Sequence, residues 1–299
     1  MNPRHRRALI PGLLVILLVI VVVTALAREA RAAEGDPVVD RLSTVTDARI
    51  PESSALVFSK RDPALAYTIN DSGHEPTVFA IEVSTGEVVG ATRLVGHRLV
   101  DPEALTIDRD GTLWVADIGD NDAVRSTVSL YALDEPVIGT KQTKPTRYRV
   151  RYADGNTDAE ALLSDPTGDG MYIVSKGLLG GQVYRLPSTL RTTGVNEAEP
   201  VAEAEIPAMV TDGDYLPDGA RVILRTYTGV HVLDARTWKQ TWSAAIPETR
   251  QSESLAAAPD GTSVIVGSEG LPSPITRITL PEDQRAAMLA PASGVFDLD

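Results

Sequence analysis

The sequence contains no cysteine among its 299 residues. Without a thiol the chain cannot form a disulfide, a thiolate metal site or a cysteine nucleophile, and no lipid can be attached through cysteine. Helical periodicity is also nearly absent, apart from residues 282–289, and this favours an all-β protein. We therefore expect a single domain over residues 33–299 that is held together by its hydrophobic core alone.

Positive charge is scarce. Beyond residue 32 the chain has 23 Lys and Arg residues against 40 Asp and Glu residues, a net charge of −17. Such a surface repels phosphate backbones, so we expect no nucleic-acid partner. Solubility accounts for most of these charges, and divalent cations are the partners that an acidic surface favours.

Known catalytic motifs are missing as well. The sequence has no nucleophile elbow, P-loop or zinc-binding helix motif. His231 occupies a strand position that holds tyrosine in two other repeats, which favours a packing role. His74 and His97 fall in loops without an identifiable partner, so the catalytic residues stay unassigned.

A repeated phrase is what the chain does contain. An acidic residue is followed by an apolar run, a tight turn and a second apolar run, as in residues 103–117. The copies are spaced by 42–57 residues and begin at Glu52, Glu103, Glu160, Thr211 and Glu253. A period of this size, built of short strands and turns, is typical of a β-propeller.

Each repeat predicts four antiparallel strands, with Asp-Gly hairpins at residues 110–111, 218–219 and 260–261. The fourth strand of the third repeat is predicted at residues 200–206. The last repeat has only three clear strands, and we expect the strand at residues 38–50 to pair beside Ile275 and close the ring. This favours five blades, and six would require another blade hidden in the C-terminal stretch.

The N-terminus has the pattern of an export signal. Basic residues 4–7 precede the uncharged run from Ala8 to Ala27, and an A-x-A site ends at Ala32. The run is also long enough to span a bilayer, so residues 1–32 predict either a cleaved signal peptide or a signal-anchor. Both place the rest of the chain outside the cytoplasm, membrane-anchored or secreted.

The start of the first strand and the end of the second lie on one face of an antiparallel blade. We expect that face to collect acidic and polar residues from several repeats. The candidates for metal ligation are Glu52, Glu103, Asp117, Glu160 and Glu253. The candidates for ligand binding are Asn70, Asp71, Asp120, Asn121, Lys176 and Arg225. Counting from the turn glycines places Asp117, Lys176 and Arg225 at equivalent positions.

Converging carboxylates repel one another unless a positive charge compensates. One solution is a structural charge network through Lys176 and Arg225. The other is a hard cation such as Ca²⁺ or another divalent ion among oxygen ligands. The sequence leaves both open.

The phrase at residues 103–117, with Glu52-Ser-Ser, Asn70-Asp-Ser-Gly73 and Gly119-Asp-Asn121, resembles extracytoplasmic bacterial propellers of the NHL, gluconolactonase and phytase-like groups. The resemblance implies a propeller with its site formed by loops on one face. In the gluconolactonase group a glutamate that opens an innermost strand binds a divalent metal with Asn and Asp residues, and Glu103 is the best match here.

Two functions follow as hypotheses. The first is a binding module for a small-molecule or protein ligand, with a divalent metal on the acidic face. The alternative is a metal-dependent hydrolase of a lactone or phosphoester, in which Asp117 or Asp71 acts as the base. A propeller face can carry either function, and the lack of a clear acid–base pair favours binding.

Overall fold

Short β-strands make up almost all of the regular structure. The computed structural model describes residues 37–168, 170–246 and 251–287. The only helix in these residues is one 3₁₀ turn at Glu282–Gln284, and none of their helices is long and apolar enough to cross a membrane. The N-terminal signal or anchor predicted for residues 1–32 lies outside the described residues.

The strands in the first half of the chain are β1 (Val38–Val45), β2 (Val57–Phe58), β3 (Leu65–Ile69), β4 (Thr77–Glu82), β5 (Val88–Leu94), β6 (Pro102–Ile107), β7 (Thr112–Asp117), β8 (Val128–Asp134), β9 (Gly139–Thr143) and β10 (Thr146–Tyr152). Those in the second half are β11 (Ala159–Ser164), β12 (Met171–Ser175), β13 (Val183–Arg185), β14 (Asn196–Pro200), β15 (Val210–Tyr215), β16 (Arg221–Thr226), β17 (Gly229–Asp234), β18 (Gln240–Ala245), β19 (Leu255–Ala257), β20 (Ser263–Val266) and β21 (Ser273–Thr279).

These strands form antiparallel units of four. The first unit is β2-β3-β4-β5, the second β6-β7-β8-β10, the third β11-β12-β13-β14 and the fourth β15-β16-β17-β18. The fifth is β19-β20-β21-β1. In it the N-terminal strand pairs antiparallel with β21, Ser43 opposite Ile275, as the sequence predicts.

The predicted Asp-Gly hairpins are confirmed. They join the first and second strands of the second, fourth and fifth units. The turn glycines Gly111, Gly219 and Gly261 have φ angles of 85°, 69° and 67°. Residues other than glycine rarely adopt this left-handed backbone conformation, so the glycines let each turn close tightly.

Two edge features differ from the sequence-based expectation. The fourth strand of the third unit is β14 and not residues 200–206, because the chain turns at Glu203, whose φ is 62°. The pattern also missed β9, a polar strand that pairs in parallel with β5. It escaped detection because its exposed residues lack apolar alternation, and it covers an edge that would otherwise be open.

The hydrophobic core is divided among the contacts between units. One buried cluster packs Phe79 and Ile81 of the first unit against Ile265 and Ile275 of the fifth. Four further clusters join the first unit to the second, the second to the third, the third to the fourth and the fourth to the fifth. The first strands of the units also contact one another in cyclic order, β2 to β6, β11, β15, β19 and back to β2. These contacts bring the beginnings of all five first strands to one end of the fold.

Candidate functional site: an acidic cluster at the bulged strand starts

A β-bulge recurs at the beginning of the first strands. The pairing of the first with the second strand slips by one residue around Glu103, Glu160 and Thr211. A bulge inserts one unpaired residue, bends the strand and redirects a side chain, and such bulges are common beside functional sites. Glu103 and Glu160 are therefore bulge residues, and this explains why a glutamate recurs at this point of these two repeats.

The first unit departs from the predicted alignment. Ser53 bridges to Asn70 while Val57 pairs with Tyr67, so the one-residue slip falls after Ser53. The residue equivalent to Glu103 is Ser54, and the predicted equivalence of Glu52 is wrong. The Ser54 hydroxyl donates a hydrogen bond of 2.7 Å to Glu103 Oε2. The Glu52 carboxylate lies further out, 2.7 Å from His74 Nε2.

Three carboxylates form a group with the spacing of metal ligands. Asp71, Asp101 and Glu103 each have an oxygen within 4.8 Å of the others. Asp71 follows the second strand of the first unit, while Asp101 precedes β6 and Glu103 is its bulge residue. The sequence predicted Asp71 and Glu103 as site residues, whereas nothing in the repeat marks Asp101 as a ligand.

Gly119 forms the floor beneath two of these carboxylates. A Cβ atom at this position would lie 2.4 Å from Asp101 Oδ2 and 2.7 Å from Glu103 Oε1. Both distances are shorter than van der Waals contact, so any side chain would displace the carboxylates. The glycine is required here for the close approach of these two groups.

Burial and neighbouring negative charge make Asp101 and Glu103 hold protons strongly. Burial and the neighbouring Asp71 raise the pKa of Asp101 to about 7. Burial, Glu160 and Asp71 raise the pKa of Glu103 well above its ordinary range, although the Ser54 hydroxyl opposes this. A bound cation would remove the repulsion that causes part of these shifts.

A second part of the cluster contains the ammonium group of Lys176. Lys176 Nζ lies 2.8 Å from Glu160 Oε1 and 5.2 Å from the centroid of the Tyr227 ring. Burial raises the pKa of Glu160 to about 8 even though Lys176 lowers it. Burial, together with Glu253, raises the pKa of Glu269 to about 7. The carboxylates outnumber the ammonium, so Lys176 does not neutralise the cluster.

Glu269 was missed by the sequence analysis. It follows the second strand of the fifth unit much as Asp71 follows that of the first, and this shared position is the signal that could have found it. Burial raises the pKa of Glu253 as well, with Lys176 and Arg225 opposing the shift. Glu253 and Glu269 therefore extend the acidic cluster from the fifth unit.

Arg225 lies inside the fold. It is fully buried, and its Nη1 donates to the carbonyl oxygens of Ser254 and Gly267. Among the described residues its Nε and Nη2 have no hydrogen-bond partner, and burial lowers its pKa to about 10. Arg225 pairs with Asp212, the residue after the bulge of its unit. Lys176 instead follows Ser175, which pairs with Ala159, the residue before the bulge. The equivalence of Arg225 and Lys176 expected from counting is therefore wrong.

Asp117 is engaged in ordering a loop. Its Oδ1 accepts hydrogen bonds from Asp101 N at 3.0 Å and Arg125 Nη2 at 2.7 Å, and its Oδ2 accepts one from Val100 N at 3.1 Å. Asp117 thereby holds the backbone of Asp101 in place behind the acidic cluster.

Two other predicted residues have similar local roles. Asp120 accepts hydrogen bonds from the backbone N–H groups of Val124 and Arg125. Asn70 accepts one from Glu52 N and donates one to Arg49 O. The remaining candidate, Asn121, is exposed in the loop after β7.

Exposed apolar side chains lie in the loops of the same face. Val100 and Val124 are 56% and 72% exposed, and Leu178 and Leu179 are 78% and 99% exposed. All four are in loops that connect to the beginnings of first strands or follow the ends of second strands. Loops of the second and third units therefore present apolar groups to solvent on the face of the acidic cluster.

No protein-family model matches the chain, and no curated protein sequence matches it significantly. Among solved structures, the chain is similar to a luciferin-regenerating enzyme, with a TM-score of 0.51 and 14% identity over 82% of this chain and 96% of that one. It also has a weaker likeness to hydrazine synthase of Kuenenia stuttgartiensis, with a TM-score of 0.40 and 16% identity over 75% of this chain and 57% of that one. At these identities only the fold is comparable, and the first likeness indicates a β-propeller-like, all-β fold.

Proposed function

We propose that the five units are the blades of a five-bladed β-propeller. The cyclic contacts of the first strands and the five clusters between neighbouring units support this architecture. The pairing of β1 with β21 supplies the fourth strand of the last blade and removes an open edge. Five is the count that the described strands support.

We further propose that the face with the bulged strand starts binds a divalent cation and, through it, a ligand. The observation that carries this proposal is the group of Asp71, Asp101 and Glu103, whose oxygens converge within 4.8 Å against the bare backbone of Gly119. Three carboxylate oxygens suit Ca²⁺ or a similar hard cation, which would complete its shell with water or ligand oxygens.

The ligand would meet the cation from solvent, on the face where one loop exposes Leu178 and Leu179. Exposed apolar groups near a polar centre are typical of a binding surface. On the N-terminal sequence pattern alone, we propose that this function is performed outside the cytoplasm, by a membrane-anchored or secreted protein.

Cation binding is tested by thermal unfolding of the metal-free protein with added Ca²⁺, Mg²⁺ or Mn²⁺. A cation that binds only the folded state stabilises it by about 2.7 kcal/mol at a hundredfold excess over Kd, which corresponds to roughly 5–10 °C for a domain of this size. We expect Glu103→Gln to abolish most of this response and Glu87→Gln, an exposed glutamate away from the cluster, to preserve it. A melting temperature that is unchanged by all three cations would leave a charge network around Lys176 as the better account.

Gly119→Ala provides an independent test of the same site. The new methyl group would collide with Asp101 and Glu103, so these side chains must turn away and the three-carboxylate group opens. We expect at least a tenfold loss of cation affinity, about 1.4 kcal/mol, with the β-sheet circular dichroism spectrum retained. Wild-type affinity in this variant would show that the cation binds elsewhere.

One observation favours the hydrolase alternative. Glu269 has a pKa raised to about 7 by burial and by Glu253, and a carboxyl group of this kind can take up a proton from water at neutral pH. Glu269 is not among the three proposed cation ligands, whereas the carboxylate of Asp117 already accepts three hydrogen bonds, so Glu269 would act as the base. Screening lactones and phosphoesters with the cation-loaded protein, with and without chelator, distinguishes turnover from binding alone.

A further inference from the structure

A cavity of about 440 Å³ lies at the opposite end of the first strands. The last residue of every first strand lines it, and these residues are Phe58, Ile107, Ser164, Tyr215 and Ala257. The bulges and the acidic cluster are at the beginnings of the same strands. The cavity is therefore separate from the proposed cation site, and its volume suits a small organic molecule.

Most of the cavity wall is apolar. Phe58, Ile107 and Tyr215 contribute large side chains, and four prolines from the surrounding turns complete the rim, namely Pro63, Pro166, Pro217 and Pro259. Prolines have little conformational freedom to lose when a ligand binds. The wall thus offers a preformed apolar surface to the ligand.

Two opposite charges face this cavity without pairing. Lys60 Nζ donates to the Asp108 carbonyl oxygen at 2.7 Å, and among the described residues no carboxylate lies within 4.0 Å of it. Asp214 accepts one hydrogen bond on each oxygen, from Ala257 N at 3.0 Å and Tyr215 N at 2.8 Å. Among the described residues, Asp214 has no cationic group within 4.0 Å.

Both groups keep bonding capacity for a ligand. The ammonium of Lys60 has two further donors, and each oxygen of Asp214 has a second lone pair. The two charges attract each other electrostatically, yet they are too far apart for a direct ion pair. A ligand that carries a positive and a negative group would satisfy both at once.

We propose that this cavity binds a free α-amino acid with an apolar side chain. The amino acid's carboxylate binds Lys60, its ammonium binds Asp214, and its side chain packs against Phe58 and Ile107. Burial raises the pKa of Asp214 to about 6, with Lys60 and the two backbone N–H groups opposing the shift. An ammonium partner would therefore hold this carboxylate in its charged form, and a ligand without one would not.

The experiment is isothermal titration with L-leucine in the presence of chelator, so that the proposed cation site plays no part. N-acetyl-leucine lacks the ammonium and leucinamide lacks the carboxylate, and we expect each to bind at least about tenfold more weakly than leucine. Lys60→Met should remove the preference for leucine over leucinamide. Asp214→Asn should remove the preference for leucine over N-acetyl-leucine. Lys141→Met, an exposed lysine outside the cavity, should change neither.

Two results would overturn the proposal. Equal binding of leucine and N-acetyl-leucine would mean that the cavity accepts any apolar anion. Absence of binding by leucine, valine and phenylalanine up to about 10 mM, roughly ten times a weak Kd of about 1 mM, would mean that the cavity is not an amino-acid site. The Lys60→Met comparison keeps the test decisive if Asp214→Asn fails to fold, because the Lys60 side chain supports no strand pairing.

Discussion

Lowering the pH from about 8 to about 5 should stabilise the metal-free protein. Burial in the acidic cluster raises the pKa of Asp101 and Glu269 to about 7 and that of Glu160 to about 8, from ordinary values of 3.8 and 4.5. Between the ordinary and the raised pKa, the folded protein holds protons that the unfolded chain has lost. The stability that these groups contribute is therefore fully present below about pH 4 and is lost as the pH rises through about 7 to 8.

Thermal unfolding in chelator across this pH range measures the effect. Several carboxyl groups contribute together, so we expect the melting temperature to fall by at least roughly 5 °C from pH 5 to pH 8, since 1 kcal/mol shifts it by about 2–4 °C in a domain of this size. Saturating Ca²⁺ should reduce this fall, because the cation replaces the protons held by Asp101 and Glu103.

Two variants assign the pH effect to the cluster. Glu103→Gln removes a buried carboxyl group and should flatten the dependence, whereas Glu87→Gln removes an exposed one and should leave it as in the wild type. A melting temperature that stays constant or rises between pH 5 and pH 8 in the metal-free protein would contradict the raised pKa values of the acidic cluster.

Lys176→Met should be among the most destabilising single substitutions. The Lys176 ammonium is 2.8 Å from Glu160, and the two side chains are 15% and 3% exposed. Removing one partner of a buried ion pair leaves the other charge desolvated and uncompensated, which costs about 3–5 kcal/mol. At a pH above about 8, where Glu160 is ionised, we expect the melting temperature to fall by roughly 10 °C.

A double-mutant cycle separates this effect from lost packing. Combining Lys176→Met with Glu160→Gln removes both charges and should restore most of the stability, with a coupling energy of at least about 1 kcal/mol. Lys239→Met is the matched control, because Lys239 pairs with Glu205 at 4.0 Å with both side chains more than 60% exposed. An exposed pair of this kind contributes about 0.2–1 kcal/mol. Equal losses for the two lysine variants would mean that Lys176 is not a buried counterion.

The local sequence pattern was sufficient to predict most of the strands. The Asp-Gly turns at Gly111, Gly219 and Gly261 determine where the chain reverses, and the apolar runs on either side pair across them. The pairing of β1 with β21 could also be predicted, because the last repeat lacks one strand and an edge of this kind needs a partner. The strand at residues 139–143 could not be predicted, since its pairing with β5 depends on the proximity of the two segments and not on its own composition.

The site was only partly accessible from the sequence. The repeat shows that acidic residues converge on one face, and it identifies Asp71, Glu103 and Glu160. It does not show which carboxylates approach one another, because that depends on the packing of neighbouring units. Counting along the chain also failed at Glu52, where the equivalent residue is Ser54, and at Arg225. The hairpins differ in length between units, since Ile107 pairs with Leu113 whereas Tyr215 pairs with Val222, one residue further on.

The sequence by itself determined the all-β class, the repeat and the face on which the acidic residues gather, since these depend on local turn chemistry and on a period of about fifty residues. Only the tertiary structure decided that Asp101 joins Asp71 and Glu103 above Gly119, that Arg225 is buried, and that Lys60 and Asp214 face a second cavity at the far end. The physical reason is that pKa shifts, ion pairs and ligand geometry depend on distances of a few ångströms between residues far apart in the chain.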